Sequence, residues 1–407
     1  MSPAIGERKS RGHRPKNRKD QIATVSAEAF SELGYHGVSM ETIAGRVGVT
    51  AASLYRHYAG KYELFRAAVL GLGQQLVEAT QFVDDEHERP AEREWDLLVE
   101  ALVDTALKNR SSGGLYRWEG RYLDLDDQLQ LNEQIKRVNR RLQGPLTELR
   151  PELGSLERLL LSSAVLSIVG SITDHRVQAP APTIHTTLAR IARDLRSVDL
   201  PALHRKPTPK EPVTDALSAA GEYEAILHHA MLLFNERGYR DTGMDDIAAA
   251  AHISTAGIYR FFAGKAAILA AVYRRAADRV SSDVSDVLAN CDGPRDAVTK
   301  LADSYVRRSF ANPEIAYVYY AERANVPPDD QVVLHNIQRA TVEAWAHQVS
   351  AAVTGTPPDE ARLAVHAAFA LVVDVGRLAH YTALEAPQHI VNRLIITALL
   401  GAEQRVG

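Results

Sequence analysis

The chain has 407 residues, of which 45% are apolar and 24% charged, the balance of a folded protein of two to four domains rather than a disordered one. Cys291 is the one cysteine, which excludes an intrachain disulfide and any multi-cysteine zinc or iron–sulfur site and fits a reducing cytosol. The net charge of −4 is unevenly spread: residues 1–20 carry seven basic side chains against Glu7 and Asp20, +5 in all, which leaves −9 for the rest.

In chain order, residues 1–17 read as a basic arm. A first helix follows, with Ile22, Val25, Ala29, Phe30 and Leu33 at helical spacing and a stop at Gly34. Ser39 is placed to cap a short helix, Met40 to Val47, and Gly48 to make a tight turn. Thr50 caps a third helix reaching about Tyr58, and Lys61 opens a fourth after Ala59-Gly60. Two short helices joined by a glycine-containing turn form the helix-turn-helix pattern.

The same order recurs downstream. Residues 22–66 align without a gap to 226–270, with 14 identities in 45 positions, among them Phe30/Phe234, Gly34/Gly238, Tyr35/Tyr239, Tyr55/Tyr259, Arg56/Arg260 and Lys61/Lys265. Such matching at a fixed offset marks a duplication. The expected layout is all-α: a first head over 18–66, a helical domain over 67–200, and a proline-rich linker over 201–221. A second head over 222–270 and a second helical domain over 271–407 complete it. The longest apolar stretch, Leu159 to Ile172, is broken by serines and falls short of the roughly 20 residues that span a membrane. No apolar signal core follows the basic start, so a cytoplasmic protein without membrane attachment is expected.

Thr42-Ile43-Ala44, Gly48-Val49-Thr50 and Leu54-Tyr55-Arg56-His57-Tyr58-Ala59-Gly60-Lys61 resemble the head of the TetR family. The resemblance is detailed over the heads and general over the helical remainder. It implies double-stranded operator DNA as partner, dimeric action, repression, and release by a small ligand held in the helical domain. By the same resemblance the DNA-contacting positions are Thr42, Arg46, Thr50, Ala51, Ala52, Ser53, Tyr55, Arg56, His57 and Lys61. Physical chemistry agrees: small residues opening the third helix let its backbone approach the major-groove floor, while Tyr55, His57, Lys61 and two helix N-termini suit phosphate. Arg11, Arg14, Lys16 and Arg18 of the arm then suit a flanking minor groove.

The second head departs from this pattern. His252 stands for Gly48, Asp246 for Thr42, Ala250 for Arg46 and Phe261 for His57; residues 222–270 are net −2 where residues 1–66 are net +5. Because phosphate neutralisation dominates affinity, Ser254, Thr255, Tyr259, Arg260 and Lys265 are expected to make a weaker contact set, in a head that binds conditionally or is kept for folding and dimerisation. Two assemblies remain open: a single-chain pseudo-dimer with 67–200 packed on 271–407, and a homodimer with four heads.

The helical domains show no catalytic or metal-binding motif, and neither cofactor nor enzyme activity is expected. Asp124, Asp126 and Asp127 read as a helix cap. A ligand site for an apolar or acyl-type effector is sought at Tyr116, Trp118, Arg121 and Tyr122, with Tyr319 and Arg323 in the second half; an ordinary core helix with surface arginines is the competing reading. The whole chain reads as a ligand-responsive DNA-binding regulator. A small-molecule-binding or protein-interaction module with vestigial heads is the alternative.

Overall fold

A computed structural model describes residues 18–85, 88–201, 221–381 and 387–402. Arm residues Arg11, Arg14 and Lys16, and nearly all of the linker, lie outside the described residues. Among those described the chain is helical, with no strand.

Among the described residues each unit contributes nine α-helices. In the first these are α1 (Arg18–Gly37), α2 (Met40–Val47), α3 (Ala51–Leu54), α4 (Lys61–Ala79), α5 (Ala91–Lys108), α6 (Leu115–Trp118), α7 (Leu125–Leu149), α8 (Ser155–Gly170) and α9 (Ala181–Ser197). In the second they are α10 (Glu222–Arg237), α11 (Met244–Ala250), α12 (Thr255–Tyr259), α13 (Lys265–Ala289), α14 (Pro294–Ala311), α15 (Pro313–Ala321), α16 (Pro328–Ala352), α17 (Pro358–Tyr381) and α18 (Pro387–Leu400). The last five all open on proline, whose missing N–H costs nothing in a first turn. The fourth helix of each head is long: α4 and α13 run uninterrupted past 66 and 270, so each head is joined to its helical domain by a continuous rod.

Each head has its own core. Ile22, Phe30, Ile43, Leu54, Leu64 and Phe65 fill the first; Ile226, Phe234, Ile247, Ile258, Ile268 and Leu269 fill the second at matching positions. The helical domains, by contrast, share one core. It runs from Trp95 and Leu102 in the first unit through α8, α9, α17 and α18 to Trp345 and Val349 in the second. Helix α8 lies against α17, and α9 touches both α17 and α18. Ser155–Thr173 is the one segment among the described residues long and apolar enough to cross a membrane, but 67% of its apolar window is buried inside the protein. Small residues on both sides (Ala164, Ala364, Ala367, Ala368) let the helices approach.

Polar groups punctuate the seam. Arg117 donates to Asp174 of its own unit and to Asp374 of the other, both at 2.6 Å; Ser167 also donates to Asp374, at 2.8 Å. The His175 and His366 rings stack with centroids 4.2 Å apart, and burial pushes both below the ordinary imidazole range, so the pair is neutral near pH 7.

Candidate DNA interface

The first head presents its third helix by local means. Ser39 caps α2 through its hydroxyl, which accepts the Thr42 N–H at 3.1 Å. Gly48 takes φ 73°, a left-handed turn that spares a glycine the Cβ clash. Thr50 caps α3 by accepting the Ser53 N–H at 3.3 Å. Regular helix stops at Leu54, earlier than the expected Tyr58, although the Tyr58 N–H still donates to the Leu54 carbonyl at 3.0 Å. Tyr58 is drawn into the head, its hydroxyl donating to the Lys19 carbonyl at 3.3 Å.

This leaves one exposed face. Ala52, Tyr55, Arg56 and His57 are exposed, Tyr55 by 52%, while Leu54 between them is fully buried. Neither Arg56 nor His57 makes an ion pair among the described residues, so both are available to an anion. Thr50 is exposed beside them, with Ala51 and Ser53 half-buried. Thr42 is half-buried, its hydroxyl 3.0 Å from that of Ser39. Arg46 is exposed but held by Glu32 at 2.8 Å, and Arg18 donates to Gln21 at 2.8 Å. Lys61 points partly inward: its ammonium donates to the Val38 carbonyl at 3.1 Å and sits 4.4 Å from the Tyr35 ring centroid. Burial and the nearby Arg240 lower its pKa. An ammonium has three protons, and the Val38 bond occupies one of them.

The second head has the same shape with its polar groups already engaged. Ser254 caps α12 at the Gly257 N–H, 3.1 Å. Thr255 donates to Asp245 at 2.7 Å, and Arg260 is held by Glu222 at 2.7 Å. Lys265 donates to the carbonyls of Tyr239, Arg240 and Thr242, three acceptors for three protons. Tyr259 (55% exposed) and Phe261 (43%) are bare. At the turn His252 adopts φ 56°, a left-handed conformation that a β-carbon disfavours.

Both heads are fastened to the helical domains at a left-handed glycine, Gly34 at a kink in the last turns of α1 and Gly238 just after α10. Gly34 has φ 71° and Gly238 φ 84°. The next N–H in each case donates to a buried carboxylate: Tyr35 to Glu119 at 2.8 Å, Tyr239 to Glu322 at 3.0 Å. Desolvation pushes the Glu119 carboxyl up to about 7, opposed by the Tyr35 N–H and by Arg121. Glu322 has a further partner from the other unit, the Arg121 guanidinium at 2.5 Å.

The aromatic stretch in which an effector site was sought is therefore occupied by the joint between the units. Trp118 stacks on Tyr320 (centroids 4.7 Å apart, planes 10° apart) and donates its indole N–H to Asp174 at 3.1 Å. Tyr122 accepts from Arg121 at 2.9 Å and packs on Tyr35 and His36. Tyr116 lies between the first head's core and the shared core. Among the described residues, all four pack on protein side chains. Arg323 is exposed. Tyr319 lines a cavity within the second helical domain. Asp124 sits at the N-cap of α7, and Asp127 accepts from Tyr62 and Arg66, both at 2.7 Å. No three metal-ligating side chains converge among the described residues. Sequence reasoning overlooked Glu119 and Glu322 as fastenings; a lone acid within an otherwise aromatic and basic stretch was the available signal.

The model for bacterial regulatory proteins of the tetR family matches this chain twice, over residues 22–68 and 226–272. The chain is 36% identical over 67 residues to the HTH-type transcriptional activator FasR of Mycolicibacterium smegmatis, covering 16% of this chain and 31% of that protein. It is 41% identical over 51 residues to IcaR of Staphylococcus epidermidis, a negative transcriptional regulator of the biofilm operon icaADBC, covering 12% and 28%. The chain thus spans about a third or less of the length of these relatives. A TetR-family regulator of Bordetella parapertussis of known structure is 19% identical, with a TM-score of 0.38 over 44% of this chain and 94% of that one. Two matches to one family model at a spacing of 204 residues, on two heads of the same build, show that this chain carries two TetR-type heads in one polypeptide.

Proposed function

We propose that the chain is a ligand-responsive, sequence-specific DNA-binding regulator, a repressor acting in the cytoplasm, that reads operator DNA with its first head. The observation that carries this reading is the bare face of Ala52, Tyr55, Arg56 and His57, with Arg56 and His57 unpaired among the described residues. Phosphate and base-edge contacts need donors that are not already satisfied. The second head serves as a structural or weakly binding counterpart, since Arg260 and Lys265 are engaged within it. We propose further that the two units act as an intramolecular pair, in place of the two chains of an ordinary dimer. The shared core of α8, α9, α17 and α18 supports this, because an interface continuous with the interior is not readily exchanged for one with a second copy.

The test is binding of the purified full chain to fragments of its own upstream region across a salt series. Sequence-specific binding that falls steeply with salt is expected. Absence of specific binding to any genomic fragment would overturn the regulator reading in favour of an interaction module with vestigial heads.

A further inference from the structure

The two heads share one build, and their surfaces differ on the face that is bare in the first. Helix α1 opens at Arg18 and α10 at Glu222, 204 positions on, so one register runs through both heads. In that register Arg18, Lys19, Arg46 and His57 of the first head become Glu222, Tyr223, Ala250 and Phe261 of the second. One cation becomes an anion, and the other three positions lose their nitrogen donors. Phe261 is 43% exposed, an uncharged ring where His57 stands.

Carboxylates fill the second face. Asp246, in place of Thr42, accepts the Gly243 N–H at 2.7 Å at the start of α11, where the first head uses the neutral Ser39 hydroxyl. Asp245 beside it is exposed and accepts from Thr255. Arg237 lies 3.8 Å from Asp246. Arg260 is held by Glu222 at the surface, and such a pair alone is weak enough to open. Opening it gains little for phosphate, because the Glu222 carboxylate stays beside the same spot and repels the anion.

Two equivalent heads read an inverted repeat, since the two-fold symmetry of the protein is copied into its DNA. Here the shared core and the Arg121–Glu322 bond hold two unlike heads in one pair. We infer that the operator of this chain is a single asymmetric half-site, read by the first head alone and occupied by one chain, with no inverted repeat. The second head matches the first in shape, and its acids turn phosphate away where a symmetric operator would present its second half. The inference rests on the regulator reading above.

The experiment footprints the full chain on its own upstream region with hydroxyl radicals. Anisotropy then measures duplexes in which each protected base pair is exchanged in turn, and sedimentation counts chains per duplex. Sensitive base pairs, each costing about tenfold when exchanged, are expected in one block with one chain bound. No inverted counterpart is expected about 10 base pairs away. A second series adds an inverted copy of that block at every spacing over one helical turn. Wild type should gain about twofold, the statistical factor for two sites, whereas Glu222→Arg/Asp246→Thr/Phe261→His should gain about tenfold or more at one spacing. That variant returns the first head's residues to the second. Two inverted blocks of equal sensitivity, or a wild-type gain of about tenfold from the inverted copy, would overturn the inference and leave the regulator reading standing. Absence of protection on every genomic fragment would instead overturn that reading, and the inference with it.

Discussion

Glu119→Gln isolates the fastening of the first head. The carboxyl is buried, it accepts the Tyr35 N–H, and its charge faces Arg121 and Arg323 on one side and Glu322 on the other. Desolvation dominates and lifts its pKa from 4.5 to about 7. A carboxyl whose folded pKa exceeds its unfolded one binds protons more tightly when folded. Its ionisation therefore costs stability as pH rises from about 4.5 to about 7, and the cost is constant above that. At about 1.4 kcal/mol per tenfold change in proton affinity, this amounts to about 3 kcal/mol. Glutamine keeps an oxygen that accepts from Tyr35 and removes the charge. The difference in unfolding free energy, variant minus wild type, should rise by about 2.5 kcal/mol between pH 5 and pH 8. Taking the difference cancels His36, His175 and the other groups that titrate in both proteins. Urea unfolding at several pH values measures it. A difference that is flat over that range, or that falls with pH, would refute the assignment of a desolvated, ionisable carboxyl at this joint.

Removing the guanidinium at the seam with Arg117→Met leaves Asp174 buried without its cation and should cost about 3–5 kcal/mol by thermal or urea unfolding. At the turn, Gly48→Ala should cost about 1 kcal/mol, and His252→Gly should add up to about 1 kcal/mol, because both positions hold a left-handed backbone. Chemical denaturation of each variant checks the opposite signs. Leu54→Ala empties a fully buried position beneath the exposed face and should cost about 2–5 kcal/mol together with DNA binding, read by unfolding and anisotropy on the same sample.

The heads were legible because their determinants are local. Ser39, Thr50, Gly34 and Gly48 act within a few residues of where they stand, and cap and turn chemistry alone places them. The end of α3 was less so, since Tyr58 is set by its bond to Lys19, 39 positions away. The joint was invisible to local reading. Arg117 and Asp374 are 257 positions apart, and nothing about either residue alone announces the other. The same remoteness hid the cavity, whose walls come from five helices spread over about a hundred residues. Aromatic residues interleaved with arginine at 115–122 suggested a ligand site because a pocket wall and a polar joint draw on the same side chains; only their neighbours distinguish the two. The duplication itself carried further than any motif, since it foretold two heads of one build.

The most direct test of the division between the heads compares Arg56→Ala with Arg260→Ala in operator binding by the full chain at fixed salt. Arg56 is exposed without an ion pair among the described residues, whereas Arg260 is tied to Glu222. The account predicts at least a tenfold loss of affinity for Arg56→Ala and a change within twofold for Arg260→Ala. Equal losses would contradict it and mean that both heads read DNA.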